Sequence, residues 1–415
     1  MADRRPEFLS TNSGADPVAF QTWRNFKEAF APELIAQAYE ETSSSLGHEV
    51  TSAIDPFGGS GTTALASQFL GVHPTTIEVN PYLADLIESK LVSYDTERLL
   101  ADYQRVLQNF SDLTANQFPE APKTFVEPGH KDRYIFSHKV ASRLAGLFAA
   151  VAEIRDVRNR RLMRVLLSSI AVDLSNVVVS GKGRRYRRGW QDRTISTSDV
   201  MAAFDDAFCQ AAYDIKRFER RKCVDYRLLR GDSRKLIPAN GEYDMAVFSP
   251  PYPNSFDYTD VYNVELWAGG YFTSAEANKV LRHKTLRSHV QIARSFYASE
   301  LPSEKLKVVA AQLDGVREEL WNKRIPDMVI AYFADMQRVM SKLSSSLVRG
   351  GRMYAVVGDS RYQGIQIPVA EILIEIASPL GYNLVASEPF RSMRASPQQG
   401  GRAELIESLI VMEKR

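Results

Sequence analysis

Residues 50–71 read VTSAIDPFGGSGTTALASQFLG, and the order of residue types within them decides the fold. The apolar, β-branched start reads as a short buried strand, DPFGGSG as a tight turn, and the remainder as a helix. Glycines at the point where a strand hands over to a helix let the backbone approach a ligand closely. The helix that follows presents free N–H groups at its start. A phosphate loop fits poorly, because the lysine of that motif is missing. Asp55 would repel a phosphate, yet it suits the cationic amino group of an amino acid. The plain alternative is a strand-to-helix turn with no ligand.

Downstream, PTTIEVNPYLADLIESKL (74–91) repeats the pattern of strand, acidic turn and helix. Glu78 falls about 20 residues beyond the glycines, where an acid can accept both hydroxyl hydrogens of a ribose. The alternation predicts an α/β fold with a parallel sheet wound by helices. Upstream, residues 20–47 read as helical around FKEAFAPELIAQAYEE. The pattern stops after residue 96. Residues 97–222 read as mostly helical, with helical spacing in VASRLAGLFAAVAEI (140–154) and LMRVLLSSIAVDLSNVVV (162–179). The loop SGKGRRYRRGWQDR (180–193) lies between helices. Strands resume in YRLLRGDS (226–233) and YDMAVFSPPY (243–252), and a polar helical stretch covers about 272–325. A helix (328–348), a buried strand (350–360), a second helix (369–382) and a closing strand pair (384–390 and 405–414) follow. One α/β unit, 1–96, 226–271 and 326–415, is thus interrupted by helical insertions at 97–225 and 272–325.

The chain of 415 residues is 44% hydrophobic and 25% charged, enough for a sizeable core. No apolar run reaches the length of a membrane span, and the N-terminus has no apolar signal core. Cys209 and Cys223 support neither a disulfide framework nor a zinc site, and they fit a reducing cytoplasm. No metal is expected. Net charge is only +2, so a nucleic-acid partner must be met by local patches. Residues 155–193 and 216–235 are rich in Arg and Lys. The first contains Lys182, Arg184, Arg185, Arg187, Arg188 and Arg193, interleaved with Tyr186 and Trp190. Such a loop can contact phosphates and wedge aromatic rings between bases, or be a merely solvated surface. RSMRASPQQGGR (391–402), with Arg391 and Arg394, is a second candidate in the turn between the closing strands.

Two further motifs follow strands. In Gly231-Asp232-Ser233, Asp232 can accept from an adenine amino group, or serve as a turn or helix cap. In Ser249-Pro250-Pro251-Tyr252, two prolines fix the chain and remove two donors, leaving carbonyls to accept hydrogens from an amino group. Tyr252 offers a flat face on which a base can stack.

DPFGGSGTT and SPPY, with FKEAFAPEL upstream, resemble the amino-group (cytosine-N4 and adenine-N6) DNA methyltransferases of the SPPY type. The resemblance spans roughly residues 20–96, 226–262 and 326–415. It implies the class I fold, a seven-stranded mostly parallel sheet, with S-adenosylmethionine as cofactor. It places Asp55, Pro56, Phe57, Gly59, Gly61, Thr62 and Thr63 around the methionine part, with Phe26–Glu33, including Phe30, closing over the carboxylate end. Glu78, with Asn80, would hold the ribose and Asp232 the adenine. Ser249 to Tyr252 would hold the target amino group, Ser249 also bordering the cofactor. Serine at the first position goes mostly with cytosine N4, Asp or Asn with adenine N6. The motif order, cofactor loop before SPPY, departs from many SPPY enzymes, and the large insertion precedes Asp232. The partner implied is double-stranded DNA with the target base flipped out, as in restriction–modification, with room for a companion restriction enzyme. Competing readings are an adenine-N6 DNA methyltransferase, an RNA base methyltransferase, a methyltransferase of a protein or small molecule, and a nucleic-acid-binding subunit of a defence complex that has lost catalysis.

An exocyclic amino nitrogen is conjugated with its ring, so its lone pair is poorly available. Accepting its hydrogens at Ser249 and the Pro250 carbonyl would favour a pyramidal nitrogen able to attack a sulfonium methyl in line. Carbon-5 methylation would instead need a cysteine nucleophile in a Pro-Cys context. Cys209 follows Phe208 and Cys223 follows Lys222, which excludes that route.

Overall fold

The computed structural model describes residues 19–24, 30–113, 118–180, 183–298, 301, 303–394 and 404–415. Its strands are β1 (Ser52–Asp55), β2 (His73–Glu78), β3 (Val177–Ser180), β4 (Gly183–Tyr186), β5 (Arg227–Arg230), β6 (Tyr243–Phe248), β7 (Leu347–Gly358), β8 (Ser360–Tyr362), β9 (Ile365–Ile367), β10 (Tyr382–Arg394) and β11 (Glu404–Lys414). Seven of them form one sheet in the order β10-β11-β7-β6-β1-β2-β5. All neighbours pair in parallel except at β11, which is antiparallel to both β7 and β10. This order and single reversal are the class I methyltransferase fold that the resemblance implies.

Both faces of the sheet are covered, which is why its central strands read as unbroken apolar runs. In β6, Met245 and Val247 face the helix Glu33–Leu46, while Ala246 and Phe248 pack with the helices Ile325–Ser346 and Val369–Ala377. β7 divides likewise, with Tyr354 and Val356 on one face and Met353, Ala355 and Val357 on the other. From β1 the chain first runs outward through β2 to β5, then returns to the other side of β1 with β6 and β7. That reversal opens a crevice beyond the carboxyl ends of β1 and β6, where ligands of open α/β sheets bind.

The insertion after residue 96 carries the helices Thr96–Asn109, His138–Ala152, Val157–Ile170 and Thr197–Arg217. Leu99, Leu144, Leu166 and Phe204 share one hydrophobic cluster with Tyr82, Leu86 and Ile87 of the helix Pro81–Leu91. The insertion is therefore packed onto the helical layer beside β2.

Four local readings need correction. Among the described residues the first α-helix begins at Glu33, and near residue 20 there is only the short 3-10 helix Gln21–Trp23. Pro32 disfavours a helical Ala31, so the chain enters the helix only beyond the proline. Residues 25–29, which include half of the segment Phe26–Glu33 expected to close over the cofactor, lie outside the described residues. The helix through LMRVLLSSI stops at Ile170, and the β-branched run at 177–179 forms β3 instead. The stretch 272–325 is only partly helical: between Ala275–Lys284 and Glu304–Gly315 the described residues 286–298 are irregular. Finally, the basic loop is no plain loop, because β3 and β4 pair as an antiparallel hairpin with Val177 opposite Tyr186.

Candidate active site

The ends of β1, β2, β5 and β6 surround a cavity of about 340 Å3. β1 ends on Asp55, which is 3% exposed. Its Oδ1 accepts the Phe57 N–H at 2.8 Å. Burial raises its pKa to about 7, against the opposing pull of the Phe57 N–H and the Thr63 hydroxyl. The turn then runs so close to β2 that Gly58 has no room for a side chain. A Cβ there would sit 2.5 Å from Thr76 Cγ2, and the Gly58 N–H donates to the Ile77 carbonyl at 3.0 Å. Gly61 starts the helix Thr62–Leu70 with φ 84°, a conformation that glycine adopts without steric penalty.

Glu78, at the end of β2, is tied to this turn. Its Oε2 accepts the Gly59 N–H at 2.8 Å and its Oε1 the Asn80 N–H at 2.7 Å. Burial dominates here too and raises the pKa to about 7. Asn80 caps the helix Pro81–Leu91 by accepting the Tyr82 and Leu83 N–H groups. Buried Lys90 supports the turn from beneath, its Nζ donating to the Ser60 carbonyl at 2.8 Å.

The cavity borders Phe30, Asp55, Pro56, Phe57, Gly59, Glu78, Asn80, Asp232 and Ser249, but not Gly61, Thr62 or Thr63. Those three brace the turn from within. Thr63 Oγ1 donates to the Val247 carbonyl at 3.1 Å, and Thr62 Oγ1 lies 3.3 Å from Ser60 Oγ. Asp232 borders the cavity and is also the helix cap that its sequence context allowed, with Oδ1 accepting the Arg234 N–H. Arg234 pairs with both its oxygens, at 2.8 and 2.9 Å, and reaches Asp335 at 2.7 Å.

β6 delivers Ser249, Pro250, Pro251 and Tyr252 to the opposite wall. Ser249 Oγ lies 3.2 Å from Tyr252 Oη, and Tyr252 donates its hydroxyl to Glu407 Oε1 at 2.6 Å. Glu407, on β11, is 3% exposed and also borders the cavity. Sequence reading missed it. The available signal was an acid at an inward position of the alternation Leu405, Glu407, Leu409, Val411. His289 borders the cavity as well, fully buried, with Gln291 and Asp257 beside its ring but no well-formed hydrogen bond to either ring nitrogen among the described residues. Burial lowers its pKa to about 4 although Asp257 lies 3.9 Å from Nδ1, so the ring is neutral near pH 7. It comes from the irregular chain that was read as helix.

The basic residues divide by role. Arg187 donates to the Ser175 and Val172 carbonyls, Arg193 to the Asp173 carbonyl and Arg184 to Asn263 Oδ1. Arg185 and Arg188 are exposed. Tyr186 and Trp190 pack together with centroids 5.0 Å apart, and Tyr134 meets Trp190 edge-on at 5.3 Å. These rings brace the hairpin more than they project from it. Lys182 lies outside the described residues. Arg391 and Arg394 belong to β10 and not to a turn, and residues 395–403 also lie outside the described residues.

No family model matches the chain. It is similar to the Type II methyltransferase M.BsoBI of Geobacillus stearothermophilus, 24% identical over 449 residues that cover 95% of this chain and 86% of that protein. It is equally similar to the Type II methyltransferase M.AvaI of Nostoc sp. (strain PCC 7120), 24% identical over 441 residues that cover 94% and 86%. Its curated relatives are methyltransferases. Among solved structures, TrmN from Thermus thermophilus is 10% identical with a TM-score of 0.31, the alignment covering 95% of this chain and 52% of that one. At that score the likeness carries no argument, and the fold rests on the strand order described above.

Proposed function

We propose that this chain is a DNA methyltransferase that transfers a methyl group from S-adenosylmethionine to the exocyclic N4 of a cytosine flipped out of duplex DNA. The observation that carries the reading is that Ser249–Tyr252 opens onto the same cavity as Asp55, Phe57 and Glu78. The Type II methyltransferase names of the relatives support modification of DNA. The donor set fits the cofactor: a buried carboxylate at Asp55 for its ammonium, two acceptor oxygens at Glu78 for its ribose hydroxyls, and a floor at Gly58 that lacks a Cβ. Asp232 takes the adenine amino group on lone pairs that Arg234 leaves over. When bound, S-adenosylmethionine supplies an electrophilic methyl group. The chain's part is to hold the target nitrogen. Ser249 Oγ and the Pro250 carbonyl accept its two hydrogens, and the prolines present no competing donor. Tyr252 stacks on the base, its hydroxyl tethered at Glu407. Serine in place of Asp or Asn favours cytosine over adenine.

Expression in a methylation-free host, followed by mass spectrometry of the digested DNA, tests this. N4-methylcytosine is expected. N6-methyladenine would replace the base but keep the chemistry, 5-methylcytosine would sink both, and methyl label confined to RNA would move the substrate.

The hairpin is the proposed DNA contact. β4 packs against the helix Tyr258–Val261, which follows the SPPY turn, so the hairpin stands beside the site. A surface concavity whose charged lining is Lys131, Asp132, Arg133 and Arg185, basic on balance, adjoins it. Arg185 and Arg188 are free to meet phosphates, whereas Arg187 holds the hairpin. Replacing Arg185 and Arg188 together by Ala is expected to weaken duplex binding and to flatten its salt dependence by roughly one slope unit per lost phosphate contact. Cofactor affinity is expected to stay unchanged. Fluorescence anisotropy across a salt series measures this. An unaltered slope would shift the contact to Arg391 and Arg394.

A further inference from the structure

Methylating an amino group leaves the nitrogen with one proton too many. The hydrogen bonds at the SPPY turn form a chain that leads away from that nitrogen. Tyr252 donates to Glu407, so its oxygen is open to accept from Ser249. Ser249 Oγ in turn keeps a lone pair for an N–H of the target. The chain reaches a carboxylate buried on β11, the strand antiparallel to its neighbours, far in sequence from the motif.

We propose that Ser249, Tyr252 and Glu407 form a proton relay, with Glu407 as the terminal acceptor of the proton released by methyl transfer. The relay rests on the functional reading above. As the nitrogen lone pair forms the N–C bond, the C–S bond of the methyl donor breaks and its electrons remain on sulfur. The nitrogen then gives a proton to Ser249 Oγ, Ser249 passes its own hydroxyl proton to Tyr252 Oη, and Tyr252 passes its own to Glu407. Charge is conserved: one cation is lost at the donor and one carboxylate is neutralised. Glu407 acts through Tyr252 and Ser249, as a positioning residue that also stores the proton.

The surroundings suit this. Tyr252 is held well above the ordinary phenol range, first by burial and then by the Glu407 carboxylate, so it transmits a proton without ionising. Tyr258 stands near Tyr252 on the motif side. Asp359, beside β11, is occupied by the Gln366 amide and the Val369 N–H. Gly358 faces Glu407 on β7, and on β10 Arg391 stands opposite in register, its side chain outside the described residues.

The test combines Glu407→Gln, Tyr252→Phe and the double variant. Glutamine keeps an oxygen to accept the Tyr252 hydroxyl but cannot take a proton at neutral pH. Phenylalanine keeps the stacking face and breaks the chain. The relay predicts that each variant slows single-turnover methyl transfer at least tenfold, within the range of general acid–base catalysis. The double variant should be no slower than the worse single one, because the groups act as a unit. With cofactor saturating at every pH, the wild-type rate should fall on an acid limb that vanishes in Glu407→Gln. Cofactor and DNA affinities, measured on the same samples, establish that each variant is folded. Glu407→Gln at the wild-type rate, additive losses, or an acid limb that survives in Glu407→Gln would each overturn the relay. No base methylation by the wild-type protein would instead bring down the functional reading, and the relay with it.

Discussion

Ser249→Ala is expected to lower methyl transfer roughly 10²–10³-fold while the affinities for cofactor and duplex DNA stay within about twofold of the wild type, the loss typical of one fixed polar group at a reacting centre. The change is small in volume, and Ser249 holds no part of the fold: its recorded hydrogen bond is to Tyr252. What it removes is the acceptor that favours a pyramidal amino nitrogen and the first member of the path to Glu407. Ground-state binding uses other groups, so KM should move little and kcat should carry the loss. Rapid-quench single turnover separates the two. A variant that transfers at the wild-type rate would leave the Pro250 carbonyl as the sole acceptor and end the assignment of Ser249.

The parts of the site that were legible in the sequence are those built from neighbours along the chain. A strand that ends in an acid and runs into glycines constrains its own geometry. The distance from Asp55 to Glu78 is fixed by one helix and one strand. SPPY announces itself because consecutive prolines have few uses after a buried strand. Hidden were the groups delivered from afar. Glu407 reaches the motif only because β11 is inserted between β7 and β10, a topology that no local pattern in LIESLIVMEK encodes. His289 was lost because a polar segment without clear periodicity was read as helix, when it is held as irregular chain by the Ser255 N–H donating to the Ser288 carbonyl and by Val290 and Gln291 donating to Ser255. The basic stretch misled in a different way. Arginine density marked a charged surface correctly, yet Arg187 and Arg193 spend their donors on backbone carbonyls at the edges of the hairpin. Composition cannot separate an arginine that buttresses a turn from one that awaits a phosphate.

Asp55→Asn is expected to weaken S-adenosylmethionine binding roughly ten- to a hundredfold at pH 8, from the ~1.5–3 kcal/mol of a hydrogen bond to a charged group. The same change should make the stability of the cofactor-free protein less sensitive to the rise in pH from about 4 to 7. Burial holds the carboxyls of Asp55 and Glu78 protonated up to about pH 7. In the unfolded chain they ionise near pH 4. Between roughly pH 4 and 7 the native state therefore binds more protons than the unfolded state, and stability falls as pH rises. Above 7 both carboxyls are ionised in both states and the loss is complete. A cationic ammonium reverses the preference at Asp55, because it favours the carboxylate. Binding then expels a proton, and affinity should tighten as pH rises from 6 to 8. Asparagine removes the charge and keeps the contacts. Its carbonyl can accept the Phe57 N–H, and its amide can donate to the Thr63 hydroxyl oxygen. The variant should therefore fold, and its melting temperature should fall less between pH 5 and 8 than that of the wild type. The residual slope belongs to Glu78. Calorimetric titration at pH 6 and 8, beside thermal melts without cofactor, measures both effects. Undiminished affinity at pH 8 would remove Asp55 from the cofactor site, and parallel melting curves would mean that its carboxyl titrates alike in the folded and unfolded chain.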